Sequence, residues 1–367
     1  MTIKYYNILD VCQISLKSIR QRPTDGLLGM IINLTFLCIT ATSILLILIL
    51  FFEINGDIDK LAKAAESLST YSQVFIKMVP LLLHRKRIAN LFKITRHFWN
   101  PEDFPDVLPT AERIYKNTYY FLSGYLVLIY LTLVIFYVQP FFKLELMMVC
   151  HVPEQIPYAF WIILILQYPT AFMSASSMGG FDTMYVAFFT HLVVQLKCLN
   201  SAIRNMKVDS HDFNKTLKKN IDHHRFILAI AQELMDIVAI PLLGLYIFVT
   251  FLTCMELYLL SDSFGSPMRL ILSACYSLAL LFQFACYCFS ATEFTEEARL
   301  LSESAYASKW YDGTPSQQKM IGYVMMRAEK EFKCTAADLV EINLRAFMNV
   351  IKTSVSFYTL MKQFKEA

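Results

Sequence analysis

Polar and ionisable residues recur at steps of three and four toward the C-terminus: Asp338, Glu341, Arg345, Asn349, Lys352, Ser356, Thr359 and Gln363. Such spacing predicts one polar helix face running for about seven turns at 3.6 residues per turn. Phe347, Val350, Ile351, Phe357, Leu360 and Met361 cover the rest of the helix. A polar stripe on an apolar helix has two chemical uses. It walls a water-filled path, or it glues helices together through Ser, Thr and Asn contacts. Composition alone weighs the two evenly. Glu341 and Arg345 also read as an i,i+4 ion pair, and Arg345 and Lys352 sit awkwardly in a path for cations.

Catalytic constellations are missing. The sequence has no Gly-rich phosphate loop, no Gly-x-Ser-x-Gly elbow and no His-Glu-x-x-His pair. His223-His224 follow Asp222 and read as a solvated helix face rather than a metal site. Cys286 and Cys288 are too close together for a zinc pair. Basic residues are scattered through loops instead of gathered into one patch, which argues against nucleic acid as a partner. No enzyme, metal or cofactor is implied.

The elements that must position the stripe are set by the solvent. Hydrophobic residues make up 56% of the 367-residue chain and charged residues 17%, with a mean hydropathy of +0.45. These values lie outside the balance of a soluble domain. A bilayer core of about 30 Å takes about 20 apolar helical residues. Clear spans by that measure are 27–52, 119–138, 158–177, 237–260 and 270–289. Two weaker ones are 68–83, which holds Lys77 and Pro80, and 339–361, which holds the stripe. The expectation is an all-α membrane protein with seven transmembrane helices in a single domain, residues 1–367.

Lys and Arg orient it. The N-terminal segment and loops 84–118, 178–236 and 290–338 hold four, seven, seven and six of them, against six on the opposite side. The basic side faces the cytoplasm, so the N-terminus is expected inside and the C-terminus outside. No secretory signal is expected before the first span. The inner segments are long and helical in pattern. Leu192, Val193, Leu196, Leu199 and Ile203 continue span four inward, and Gly313-Thr-Pro-Ser316 marks a turn and helix start with Pro315 in the first turn. Gly179-Gly180 and Pro169 read as ordinary tolerance within a membrane helix. Of nine cysteines only Cys150 falls in an outer loop. A disulfide framework is therefore not expected, Cys254 being the one partner within its reach.

A second group of residues lies in the outer halves of spans two to six: Tyr71, Phe75, Ile129, Thr132, Phe136, Trp161, Leu164, Tyr168, Cys254, Tyr258, Leu272 and Tyr276. Aromatic walls with a few hydroxyls suit a small, uncharged, mostly hydrophobic ligand. Taken singly, each also reads as packing.

Four segments then occur in a recognisable order: Leu281-Phe-Gln-Phe-Ala-Cys-Tyr287, Ala305-Tyr-Ala-Ser-Lys-Trp-Tyr311, Gln318-Lys-Met-Ile-Gly-Tyr-Val-Met-Met-Arg327 and Thr353-Ser-Val-Ser-Phe-Tyr-Thr-Leu-Met361. Residues 281–364 resemble the C-terminal signature of insect odorant receptors. Gustatory receptors of the same superfamily end in Thr-Tyr-(five apolar)-Gln-Phe, which Ser356-Phe357 to Gln363-Phe364 match only loosely; Tyr306 and Trp310 favour the odorant branch. The shared co-receptor subunit carries an insertion between spans four and five that this chain lacks. The resemblance implies a ligand-tuning subunit of an odorant-gated, non-selective cation channel, a heterotetramer with the co-receptor. Its place would be the plasma membrane of a sensory dendrite, among membrane lipid. It would bind a small volatile organic ligand in the outer half and pass cations along the last helix, with residues 316–331 as its cytoplasmic anchor helix. By position Leu360, Lys362, Gln363 and Phe364 fall where that family narrows its pore, with Lys352, Ser356 and Thr359 along the same wall. Lys362 departs from the family, whose co-receptor has an apolar gate there. The other readings are a gustatory-receptor-like channel, a metabotropic seven-helix receptor and a transporter. The metabotropic reading lacks its Asp/Glu-Arg-Tyr and Asn-Pro-x-x-Tyr motifs, and the transporter reading lacks internal repeats.

Overall fold

Long uninterrupted apolar stretches leave the backbone no partner but itself, so the chain folds almost wholly into helices. A computed structural model describes residues 8–19, 26–54, 58–142, 146–153, 155–208, 212–262 and 267–366. In chain order the helices are α1 (Ile8–Ser18), α2 (Leu27–Glu53), α3 (Ile58–Leu83), α4 (Arg85–Ile94), α5 (Leu108–Phe142), α6 (Ala159–Arg204), α7 (Phe213–Asp262), α8 (Pro267–Tyr306), α9 (Pro315–Ala328) and α10 (Leu344–Glu366). A short antiparallel hairpin, β1 (Thr335–Ala336) and β2 (Val340–Glu341), pairs Thr335 with Glu341 and Ala336 with Val340.

Among the described residues five helices are long and apolar enough to cross a membrane: α2, α5, α6, α7 and α8. α3, with Lys77 in it, and α10, with the stripe, are the two segments that are weaker in the sequence. The apolar windows of α2 and α5 are only 17% buried, whereas that of α6 is 72% buried. α6 is thus the central post. Its inner extension carries Leu192, Val193, Leu196, Leu199 and Ile203, all buried, as the periodicity predicts. Together with the inner ends of α7 and α8 these residues make the main core, which lies in the inner half of the molecule. α9 starts where the turn signal predicts: Pro315 opens it and Thr314 and Gln317 form a reciprocal capping box.

Gly179-Gly180 has a more specific role than tolerance. α1 crosses α6 there, and a Cβ at Gly180 would lie 2.6 Å from Leu16 Cδ2. Ser15 Oγ then donates to the Ser176 carbonyl at 2.9 Å. The missing side chains let the two backbones approach.

Two expectations need correction. The last helix does not begin at 339. Residues 335–341 form the hairpin, turning through Ala337 and Asp338 at φ 50° and 56°, and Thr335 Oγ1 donates to Asp338 Oδ1 at 3.0 Å. Asn343 then starts α10, its Oδ1 accepting from the Ala346 amide at 2.9 Å. Asp338 and Glu341 therefore leave the stripe, and Glu341 pairs with Lys333 at 3.7 Å instead of with Arg345. Second, His223 is not solvated: its ring stacks on Trp99 with centroids 3.8 Å apart. Cys150 and Cys254 are both buried free thiols.

Candidate functional site

The outer group is organised by a loop. Residues 146–153 fold back over the bundle and are tied to three helices. The Val149 amide donates to Ser67 Oγ at 3.1 Å and the His151 amide to the Leu46 carbonyl at 3.2 Å. Gln167 holds Met148 from both sides, Nε2 donating to its carbonyl at 2.8 Å and Oε1 accepting from its amide at 3.4 Å. At the rim, His151 Nδ1 meets the Glu53 carboxylate at 2.7 Å. Beneath this cover lies an apolar cluster that joins Tyr71 and Leu164, both buried, with Tyr168 packed against them.

The structure places the sequence-predicted ligand residues unevenly. Tyr71, Leu164 and Tyr168 come together. Tyr168 also trades hydrogen bonds with Tyr137, whose hydroxyl donates to the Tyr168 carbonyl at 2.7 Å. Tyr276 ties α8 to α3, its hydroxyl donating to the Glu66 carbonyl at 3.3 Å. Phe75 and Phe136 are half-buried on α3 and α5. Ile129 sits deeper, near Gly179. Thr132 and Trp161 point outward; Thr132 Oγ1 donates to its own helix at Leu128, and Trp161 is 48% exposed. The side chains of Tyr258 and Leu272 lie outside the described residues.

Below the aromatic layer sits an ion pair of which sequence reasoning saw only the lysine. Lys77 Nζ lies 2.5 Å from Asp182 Oδ1, and both side chains are almost fully enclosed. Tyr125 and Gln283 Nε2 each donate to Asp182 Oδ2 at 2.7 Å, and Tyr287 donates to Oδ1. One carboxylate thus fastens α3, α5, α6 and α8. The signal was Lys77 itself, because an ionisable group inside an apolar span needs a partner. Asp182 escaped notice because α6 continues unbroken past residue 177.

On the inner side Gln195 clamps the α4–α5 connection. Its Oε1 accepts from the Trp99 amide at 2.8 Å and its Nε2 donates to the Trp99 carbonyl at 3.0 Å. His223 reaches the same Oε1 at 3.1 Å. Burial, with Lys219 and His224 adding positive charge nearby, pushes the His223 imidazole down to about 4.

α10 supplies the second predicted site. It packs through a narrow strip of Ala346, Val350 and Ser354, which are buried, mainly against α7 and α8. Arg345, Asn349, Lys352, Ser356, Thr359 and Gln363 are all exposed, as is Leu360. Thr359 Oγ1 donates to the Ser356 carbonyl at 2.7 Å. The Lys362 side chain lies outside the described residues.

The sequence model of the 7tm odorant receptor family matches residues 57–355. Odorant receptor 10 of Aedes albopictus is 23% identical over 208 residues, 55% of either chain, so the match spans about half the length of that relative. Odorant receptor 85c of Drosophila melanogaster is 21% identical over 310 residues, 75% of this chain and 79% of that one. The insect olfactory receptor OR5 from Machilis hrabei, solved in complex with eugenol, superposes over 97% of both chains with a TM-score of 0.80 at 16% identity. At that identity the likeness speaks to the fold. The family match covers most of the chain, from the start of the bundle through the buried knot to the first half of α10: this protein belongs to the 7tm odorant receptor family.

Proposed function

We propose that the chain is the ligand-tuning subunit of an odorant-gated, non-selective cation channel. It acts in the plasma membrane of a sensory dendrite as a heterotetramer with a shared co-receptor. Seven helices span the bilayer: α2, α3, α5, α6, α7, α8 and α10. The N-terminus is cytoplasmic, and α9 belongs to the inner anchor.

The observation that carries this reading is the exposed polar face of α10. Lys352, Ser356 and Thr359 are uncovered within one subunit, and hydrocarbon is a poor neighbour for them. Water or another subunit must cover that face, and a central path between subunits supplies both. The odorant, small and uncharged, binds in the outer half among Tyr71, Leu164, Tyr168, Tyr276 and their neighbours, under loop 146–153. The knot at Asp182 holds together four of the helices that bound it.

Expression with and without the co-receptor, recording current while volatiles are applied, tests the proposal. Odorant-evoked current that requires co-expression supports it; current that requires G-protein signalling overturns it. Orientation has its own check. Asn214-Lys-Thr216 is an exposed acceptor sequence in the first turn of α7. It is expected to stay unglycosylated in cells, and a glycan on Asn214 would place that loop outside.

A further inference from the structure

On the far side of Tyr71 from α5 and α8, a cavity of about 250 Å³ opens between α2 and α6. α2 contributes Thr35, Cys38, Ile39, Thr42, Ser43 and Leu46. Tyr71, Gln167, Thr170 and Cys150 form the floor and outer end. Thr35, Cys38, Thr42 and Leu166 are exposed at its mouth. The opening faces the bilayer.

Its lining is rich in hydroxyl oxygens whose protons are already committed, beside the thiols of Cys38 and Cys150. Thr35 Oγ1 donates to the Ile31 carbonyl at 3.0 Å, Thr42 Oγ1 to Cys38 at 2.9 Å, and Ser43 Oγ to Ile39 at 3.0 Å. Across the cavity Thr170 Oγ1 donates to the Leu166 carbonyl at 2.9 Å. A hydroxyl has one proton and two acceptor lone pairs. With each proton committed backward to its own helix, the oxygens keep acceptor capacity toward the hollow. Gln167 is likewise engaged at both ends by Met148, while the Tyr71 hydroxyl stands beside Ser43 and Thr170. Ser43 and Thr170 thus have a donor at hand, whereas Thr35 and Thr42 at the mouth lie away from Tyr71, and an occupant that brings its own donor meets their oxygens. An alkyl chain does not.

We propose that this cavity is a second, laterally entered binding site for a small neutral alcohol or phenol dissolved in the bilayer. The volume falls below the usual range of a drug-sized pocket, which limits the occupant to a short chain or a single ring. The site shares Tyr71 and the loop at Cys150 with the outer ligand group but opens on the other side, toward α2, and it stands whether or not the chain gates a channel.

The test uses the full chain in phosphatidylcholine nanodiscs, photolabelled with a diazirine analogue of 1-octanol and mapped by mass spectrometry. Labelling is expected on residues 35–46 and 163–170, with 1-octanol competing at least tenfold better than n-octane or methyl octyl ether. Thr42→Phe, which fills the mouth, is expected to cut α2 labelling at least tenfold. Thr42→Val keeps the shape and removes one acceptor; it is expected to leave the label in place while narrowing the advantage of octanol over octane. Equal competition by octane, or label that appears on these segments only with a diazirine phospholipid, would make the cavity an acyl-chain groove and overturn the proposal. So would an absence of label from α2 in the parent chain.

Discussion

Lys77 Nζ and Asp182 Oδ1 stand 2.5 Å apart in a region closed to solvent, although 105 residues separate them in the chain. The environments of the two partners are unequal. Asp182 accepts from Tyr125, Gln283 and Tyr287 as well. Among the described residues Lys77 meets Asp182 as its one acceptor, and its other close neighbours are the ring faces of Phe181 and Tyr287, 5.9 and 5.7 Å away.

That asymmetry orders the effects of single substitutions. Asp182→Leu strands an ammonium in the interior and is expected to cost on the order of 3–5 kcal/mol. Lys77→Met leaves a carboxylate with three neutral donors and is expected to cost less. The double variant removes both charges and is expected to recover much of the loss. Thermal denaturation of detergent-purified protein reads the order directly; Lys77→Met proving the worse single change would reverse the assignment.

The inner His223–Trp99 stack predicts a pH dependence. Burial lowers the His223 imidazole from 6.5 to about 4, so the folded state favours the neutral ring. Its contribution is fully present above pH 6.5 and fades as pH falls toward 4, because the unfolded chain binds the proton more readily there. His191 and His224 are pushed to about 4 as well, mainly by burial, and add to the same slope. Melting temperature is therefore expected to fall between pH 7 and pH 5. His223→Gln should flatten part of that fall, and an unchanged slope would remove His223 from the account.

Much of the architecture was legible, and the failures share a cause. Apolar runs and loop charges forecast the helices and their inward extensions because those signals are local. The start of α10 was misread because polar residues three and four apart fit a helix, while 338 and 341 belong to a hairpin; Asn343, a good N-cap residue, was the available clue. His223 was assigned to solvent because its stacking partner lies on a distant loop. Lys77 was visible as an anomaly and Asp182 was not, since nothing local links them. The ligand group is intermediate: Tyr71, Leu164 and Tyr168 share a cluster, but which side of a membrane helix faces the bundle depends on neighbours that periodicity alone does not identify. That is why Thr132 and Trp161 turned outward.

The division between outer pocket and α10 wall is separable by electrophysiology. Lys352 is exposed on the stripe. If it faces a wet path, Lys352→Gln removes a unit charge, worth roughly 0.5 kcal/mol at about 8 Å in water, or about twofold in cation conductance. Ser356→Asp should shift reversal potential toward greater cation preference. Phe136→Ala and Tyr168→Ala are instead expected to move odorant potency, about tenfold for each 1.4 kcal/mol of lost contact, with permeation unchanged. An exchange of effects between the two sets would refute the division.

The crossing of α1 over α6 gives a test of packing alone. Gly180 lies inside the helix, so alanine carries no backbone penalty there and would otherwise favour it slightly. Its added Cβ would sit 2.6 Å from Leu16 Cδ2, 2.8 Å from Leu16 Cγ and 3.5 Å from the Leu16 amide nitrogen. The first two contacts can be relieved by a rotamer change. The third involves backbone but is already at ordinary van der Waals distance. Leu16 is fully buried, however, and has little room to turn. Gly180→Ala is thus expected to push α1 off α6 and cost about 1–3 kcal/mol by overpacking. Leu16→Ala in the same chain clears the clashing side-chain atoms, so the double variant should be more stable than the sum of the two single losses implies. Denaturation midpoints of the four proteins give the coupling. Additive losses would mean that the two helices are not held at this contact.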